Sequence, residues 1–171
     1  MTEDDKYLFD LNGYIVVESV LSEDDLKLAN EAIDRHMDEG QLASRGWTND
    51  SPALKGTQSR GHLGNMLDWD EPDCKPFRHM LAHPTLIPYL NEILGKGFRM
   101  DHPMRLLYMD KGTEGLTFHG SSGPGFDPNQ YYTFKNGKMH NGLTVVTIQL
   151  SDVHPGDGGL CVIPGSHKSN Y

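Results

Sequence analysis

Apolar positions follow a helical period in the first half of the chain and a strand-like pattern in the second. Leu26, Ala29, Ile33 and Met37 recur every three to four residues, which puts them on one stripe of a helix. Ser22-Glu23-Asp24-Asp25 comes just before that stripe. Serine caps the helix start, Asp25 stands in the reciprocal capping position, and acids suit the positive end of the dipole. Gly40 marks the end. Leu86, Ile87, Leu90, Ile93 and Leu94 form another stripe, closed by Gly95. His83-Pro84 splits the region from Pro76 to Leu94 into two short helices, because the residue before proline avoids the helical region. At the N-terminus, residues 7–13 predict a short helical or turn segment and Tyr14–Val17 a β-branched strand.

After Gly97 the reading changes to strands: Phe98–Asp101, Arg105–Met109, Leu116–His119, Gln130–Phe134, Leu143–Leu150 and Leu160–Ile163, separated by Gly, Asp, Asn and Pro clusters. Leu143–Leu150 is nearly continuous and β-branched, which predicts a central strand with Val145 and Ile148 in the core. Helices followed by a run of short strands predict an α+β, mainly β chain, with a helical layer supporting a β-sandwich or barrel. One domain over residues 1–171 is expected, helical over about 1–97 and barrel-forming over about 98–171. Between Gln41 and Cys74 the periodicity is lost, and Trp47, Arg60, His62 and Trp69 sit among polar turn residues. A loop of this length is functional or disordered, and two tryptophans reward ordering. Arg60, His62 and Trp69 are therefore candidate substrate contacts.

Composition narrows the function classes. The net charge of -9 lacks the basic footprint of a nucleic-acid binder. No run is long and apolar enough to span a membrane, and the acidic N-terminus is unlike a secretory signal, so a cytoplasmic protein is expected. Cys74 and Cys161 show no metal spacing. Phosphate-loop and zinc-protease patterns are absent, and Ser121 and Ser122 are not in a nucleophile elbow. The chemistry that remains lies in histidines at strand ends. His119 follows Leu116-Thr117-Phe118, and His167 follows Leu160–Pro164 and the bend Pro164-Gly165. The mouth of a small barrel gathers strand ends, so such histidines could converge on one metal.

The string Asp152-Val153, then Gly156-Asp157-Gly158-Gly159-Leu160-Cys161-Val162-Ile163-Pro164-Gly165-Ser166-His167-Lys168, resembles the distal-histidine motif of the phytanoyl-CoA dioxygenase family. Phe9, with Asn12-Gly13-Tyr14-Ile15-Val16-Val17 after it and a capped helix beyond, is similar to that family's opening. The resemblance implies a double-stranded β-helix, a jelly-roll or cupin-like barrel, holding Fe(II) and using 2-oxoglutarate and O₂ to hydroxylate a C–H bond of a small organic substrate. It implies His167 as the distal iron ligand and His119 as the first histidine, with His140 a weaker competitor. In the family's His-x-Asp pattern this chain has Ser121 where the carboxylate should stand. Asp127 is a candidate replacement, and a site of two histidines with water or halide, as in related halogenases, is another. Tyr131, Tyr132 and Thr147 are candidate contacts to the keto acid. The resemblance also implies further strands carrying an arginine for the keto acid, whereas the chain has no arginine after Arg105. The expectation is thus a C-terminally truncated barrel. The rival expectation is a cupin-like binding protein without redox chemistry.

Overall fold

The computed structural model describes residues 1–42, 50–120 and 128–169. Four α-helices are described: α1 (Glu3–Asn12), α2 (Glu23–His36), α3 (Lys75–Leu81) and α4 (Ile87–Leu94). Five short strands are described: β1 (Gln41–Leu42), β2 (Gly61–Leu63), β3 (Leu106–Tyr108), β4 (Tyr132–Lys135) and β5 (Lys138–Asn141). They form two small antiparallel sheets, one ordered β1-β2-β3 and the other the hairpin β4-β5.

The α2 start forms as its sequence predicts. Ser22 accepts from the Asp25 amide and Asp25 from the Ser22 amide, closing a capping box. Thr2 and Asp5 close the same box at α1, whose C-terminal Gly13 takes φ 79°, the left-handed conformation glycine adopts without a Cβ penalty. Two apolar clusters hold the elements together. The larger joins Ala29, Ala32 and Ile33 of α2 to Leu63, Met66, Trp69, Cys74, Phe77 and Met80. The smaller joins Phe9 of α1, Ile93 of α4 and Met139 of β5, with Ile15, Leu94 and Tyr132 packed against it.

The strand expectations are corrected in several places. Tyr14–Val17, Phe98–Asp101, Leu116–His119, Leu143–Leu150 and Leu160–Ile163 are assigned no strand, and no closed barrel forms among the described residues. High β-propensity describes a side chain suited to a pleated surface, and a ladder needs a partner strand as well. Leu143–Leu150 is tied to the helical layer instead. Ile148 and Leu150 pack against the larger cluster, and Asn30 of α2 donates to the Leu150 carbonyl at 2.9 Å. Val145 is 78% exposed rather than core. The hairpin β4-β5, conversely, turns through Asn136 and Gly137 with φ 54° and 73°, the geometry of a type I′ turn.

Candidate functional site

His167 lies in a 3₁₀ turn, Ser166–Lys168, docked on the C-terminal end of α1. A helix end leaves carbonyls without intrahelical partners. Here the Pro164–Lys168 corner supplies donors to them: His167 Nε2 donates to the Asp10 carbonyl at 2.9 Å and the Gly165 amide to the Asn12 carbonyl at 2.9 Å. The two segments that carry the family resemblance therefore touch.

The Asp10 carboxylate gathers the rest of the cluster. It accepts from the Tyr132 hydroxyl at 2.6 Å and from Lys168 Nζ at 3.0 Å. The Tyr132 ring meets the His167 ring edge to face, with centroids 4.6 Å apart. Burial and the Asp10 carboxylate both raise the pKa of the Tyr132 hydroxyl, keeping it a proton donor. Burial outweighs the Asp10 carbonyl bond at His167 and lowers its pKa, favouring neutral imidazole. A carbonyl only accepts, so the proton of that neutral ring sits on Nε2. Nδ1 is buried without a hydrogen-bond partner among the described residues, facing Gly13, where an added Cβ would collide with it.

The other sequence candidates lie elsewhere. His119 is exposed, with Nδ1 within 3.0 Å of the Thr117 carbonyl. Ser121 and Asp127 lie outside the described residues. His140 is exposed on β5, opposite Thr133. Thr147 is exposed, while Tyr131 is half-buried with its carbonyl accepting from the Gly142 amide. Arg60 and His62 are half-buried, His62 between Gln41 and Leu107 in the first sheet. Trp69 is 7% exposed inside the larger cluster, stacked on His36 and edge to face with Phe77. Of the candidates, Tyr132 and His167 are brought into contact.

A family model for phytanoyl-CoA dioxygenase matches residues 9–171. The chain belongs to this family. Comparison with curated proteins and with solved structures returns no match. Members of the phytanoyl-CoA dioxygenase family typically use Fe(II) and 2-oxoglutarate. Iron ligation by histidine needs an unprotonated ring nitrogen with open space before it. In His167 one nitrogen is committed to the Asp10 carbonyl, and the bare one faces Gly13. Among the described residues no group of three or more His, Cys, Asp and Glu is placed to hold a metal. As arranged, these residues do not fit the iron centre.

Asp10, Gly13 and Lys168 were not singled out as site residues by their spacing. Gly13 had a readable signal, as a glycine ending an N-terminal helix. Asp10 had none, since its partners come from the far end of the chain. No described helix is long and apolar enough to cross a membrane.

Proposed function

We propose that this chain is an Fe(II)- and 2-oxoglutarate-dependent dioxygenase that hydroxylates a C–H bond of a small organic substrate, on the double-stranded β-helix of its family. The observation that carries the reading is the family match over residues 9–171, which includes the glycine-rich string ending in His167. His119 and His167 are the proposed histidine ligands, with Asp127 or Ser121 completing the set. Tyr131, Tyr132 and Thr147 are proposed for the keto acid, and Arg60, His62 and Trp69 for substrate. The protein is proposed to work in the cytoplasm, with O₂ and a small molecule as its partners and no nucleic acid.

The test is anaerobic addition of Fe(II) and 2-oxoglutarate, reading the weak visible charge-transfer band of the chelate. A band that disappears in His167→Ala supports the reading. No band in the wild-type chain, together with no iron in the purified protein, rejects it.

A second reading, a cupin-like binding protein without redox chemistry, is favoured by the two nitrogens of His167. Both are engaged or blocked within the fold. It predicts a chain that stays metal-free in excess Fe(II), with stability unchanged by the metal.

A further inference from the structure

Three Asn-Gly pairs stand in the chain: Asn12-Gly13, Asn136-Gly137 and Asn141-Gly142. An asparagine before glycine is open to attack by its own backbone, because glycine has no Cβ to keep its nitrogen away from the neighbouring side-chain amide. That nitrogen must lose its proton and turn toward the asparagine Cγ. A hydrogen bond donated by the glycine amide opposes both steps.

The fold treats the three pairs differently. The Gly13 amide donates to the Phe9 carbonyl at 2.7 Å, closing α1, and the Asn12 carbonyl accepts from the Gly165 amide at 2.9 Å. The Gly142 amide donates to the Tyr131 carbonyl at 2.9 Å, and the Asn141 side-chain amide lies 3.0 Å from Thr144 Oγ1. Asn136-Gly137 is the exposed tip of the β4-β5 hairpin. Among the described residues neither the Gly137 amide nor the Asn136 side chain has a hydrogen-bond partner, and the space where a Gly137 side chain would stand is open.

We propose that Asn136 is a site of spontaneous covalent modification, cyclising onto Gly137 while the fold protects Asn12 and Asn141. The Gly137 nitrogen gives its proton to hydroxide and bonds to Asn136 Cγ. The Cγ–Nδ2 bond breaks, and the side-chain nitrogen takes a proton from water and leaves as ammonia. Water then opens the cyclic imide at either carbonyl, leaving aspartate or isoaspartate at this position. Water is the only co-reactant, so the inference stands apart from the oxygenase reading. Isoaspartate routes the backbone through Cγ and lengthens a turn whose two residues both sit at positive φ. The Lys135–Lys138 pair that flanks the turn then loses its register.

The test ages the full chain at mildly alkaline pH, folded and in urea, and reads the three sites by peptide mapping and isoaspartyl methyltransferase labelling. In urea the three pairs are expected to convert at similar rates. In the folded chain Asn136 is expected to convert about tenfold or more faster than Asn12 and Asn141, whose reaction waits for a hydrogen bond to open. Asn136→Gly keeps a pair that suits the turn and is expected to lose the label that the folded wild-type chain gains. Equal conversion at all three sites of the folded chain, no conversion at Asn136, or undiminished label in Asn136→Gly overturns the proposal. Amide exchange at Met139 is expected to be faster in the converted chain than in the fresh one, and unchanged exchange overturns the effect on the hairpin.

Discussion

The His36 imidazole lies flat on the indole of Trp69, with ring centroids 3.9 Å apart and 6° between the planes. His36 is the last residue of α2, and each of its ring nitrogens faces a carboxylate: Nδ1 lies 2.7 Å from Glu39 and Nε2 3.0 Å from Asp73. Arg35 forks onto the same Asp73 through Nε and Nη2. Carboxylates only accept, so the charged imidazolium with two N–H groups satisfies this site. The negative end of α2 and the Trp69 face favour that charge too.

A pH dependence follows from this arrangement. The Glu39 and Asp73 bonds raise the His36 pKa above its ordinary 6.5. A raised folded-state pKa contributes stability that is full below the unfolded value and is lost as pH rises through the folded one. Asp73 is shifted the opposite way, downward, by Arg35 first and His36 after it. Its contribution is present above the unfolded carboxylate range and is lost as pH falls through the folded value. The melting temperature is therefore expected to decline from mildly acidic to alkaline pH, and His36→Gln to flatten that decline. Identical pH profiles for the two chains would remove His36 from the account.

Trp69 and Phe77 are both buried in the larger cluster, and each is expected to contribute to its stability. Phe77 is 1% exposed, and truncation of such a ring to alanine costs about 3–5 kcal/mol. Trp69→Ala is expected to cost a similar amount in urea unfolding. If Trp69→Ala left stability intact while weakening substrate binding, the substrate-contact proposal for Trp69 would be favoured instead.

Ser22→Ala removes one half of the α2 capping box. The expected loss is about 1 kcal/mol, read as a lower urea midpoint with an unchanged slope. Ser22→Asp should restore most of it, since aspartate accepts the same amide bond.

Asn30 ties α2 to the segment 143–150 through the Leu150 carbonyl, while also bonding the Leu26 carbonyl. Asn30→Ala strips Leu150 of that donor, at a cost of about 1–3 kcal/mol if the carbonyl stays buried. Because the segment has no ladder hydrogen bonds among the described residues, protease cleavage within residues 143–150 should accelerate more than cleavage within α2. Equal acceleration at both places would mean that Asn30 acts on global stability alone.

Much of the local structure was legible in the chain. The Ser22–Asp25 box, the α2 stripe and the break at His83-Pro84 act over a few residues: α2 starts just after Ser22, its α-helical part stops at His36 with a 3₁₀ turn, Met37–Glu39, carrying on to Gly40, and α3 and α4 fall on either side of His83-Pro84. Asn136-Gly137 carries an equally local turn signal, and β5 beyond it lies outside the predicted strands. Two adjacent residues with positive φ make a two-residue hairpin turn. The segments 143–150 and 160–163, expected as strands, form none, because their β-branched composition speaks to propensity and is silent about partners.

The sequence by itself determined the family, through a string whose glycines, proline and histidine are read in order, and most of the helix boundaries, through short-range capping and periodicity. Tertiary structure alone decided what the His167 ring does. Its hydrogen bond reaches a carbonyl 157 positions away, and its bare nitrogen is turned to a glycine from the same distant helix. An imidazole nitrogen carries its proton or keeps it off according to the acceptor it meets. For His167 that acceptor is Asp10, brought there by folding.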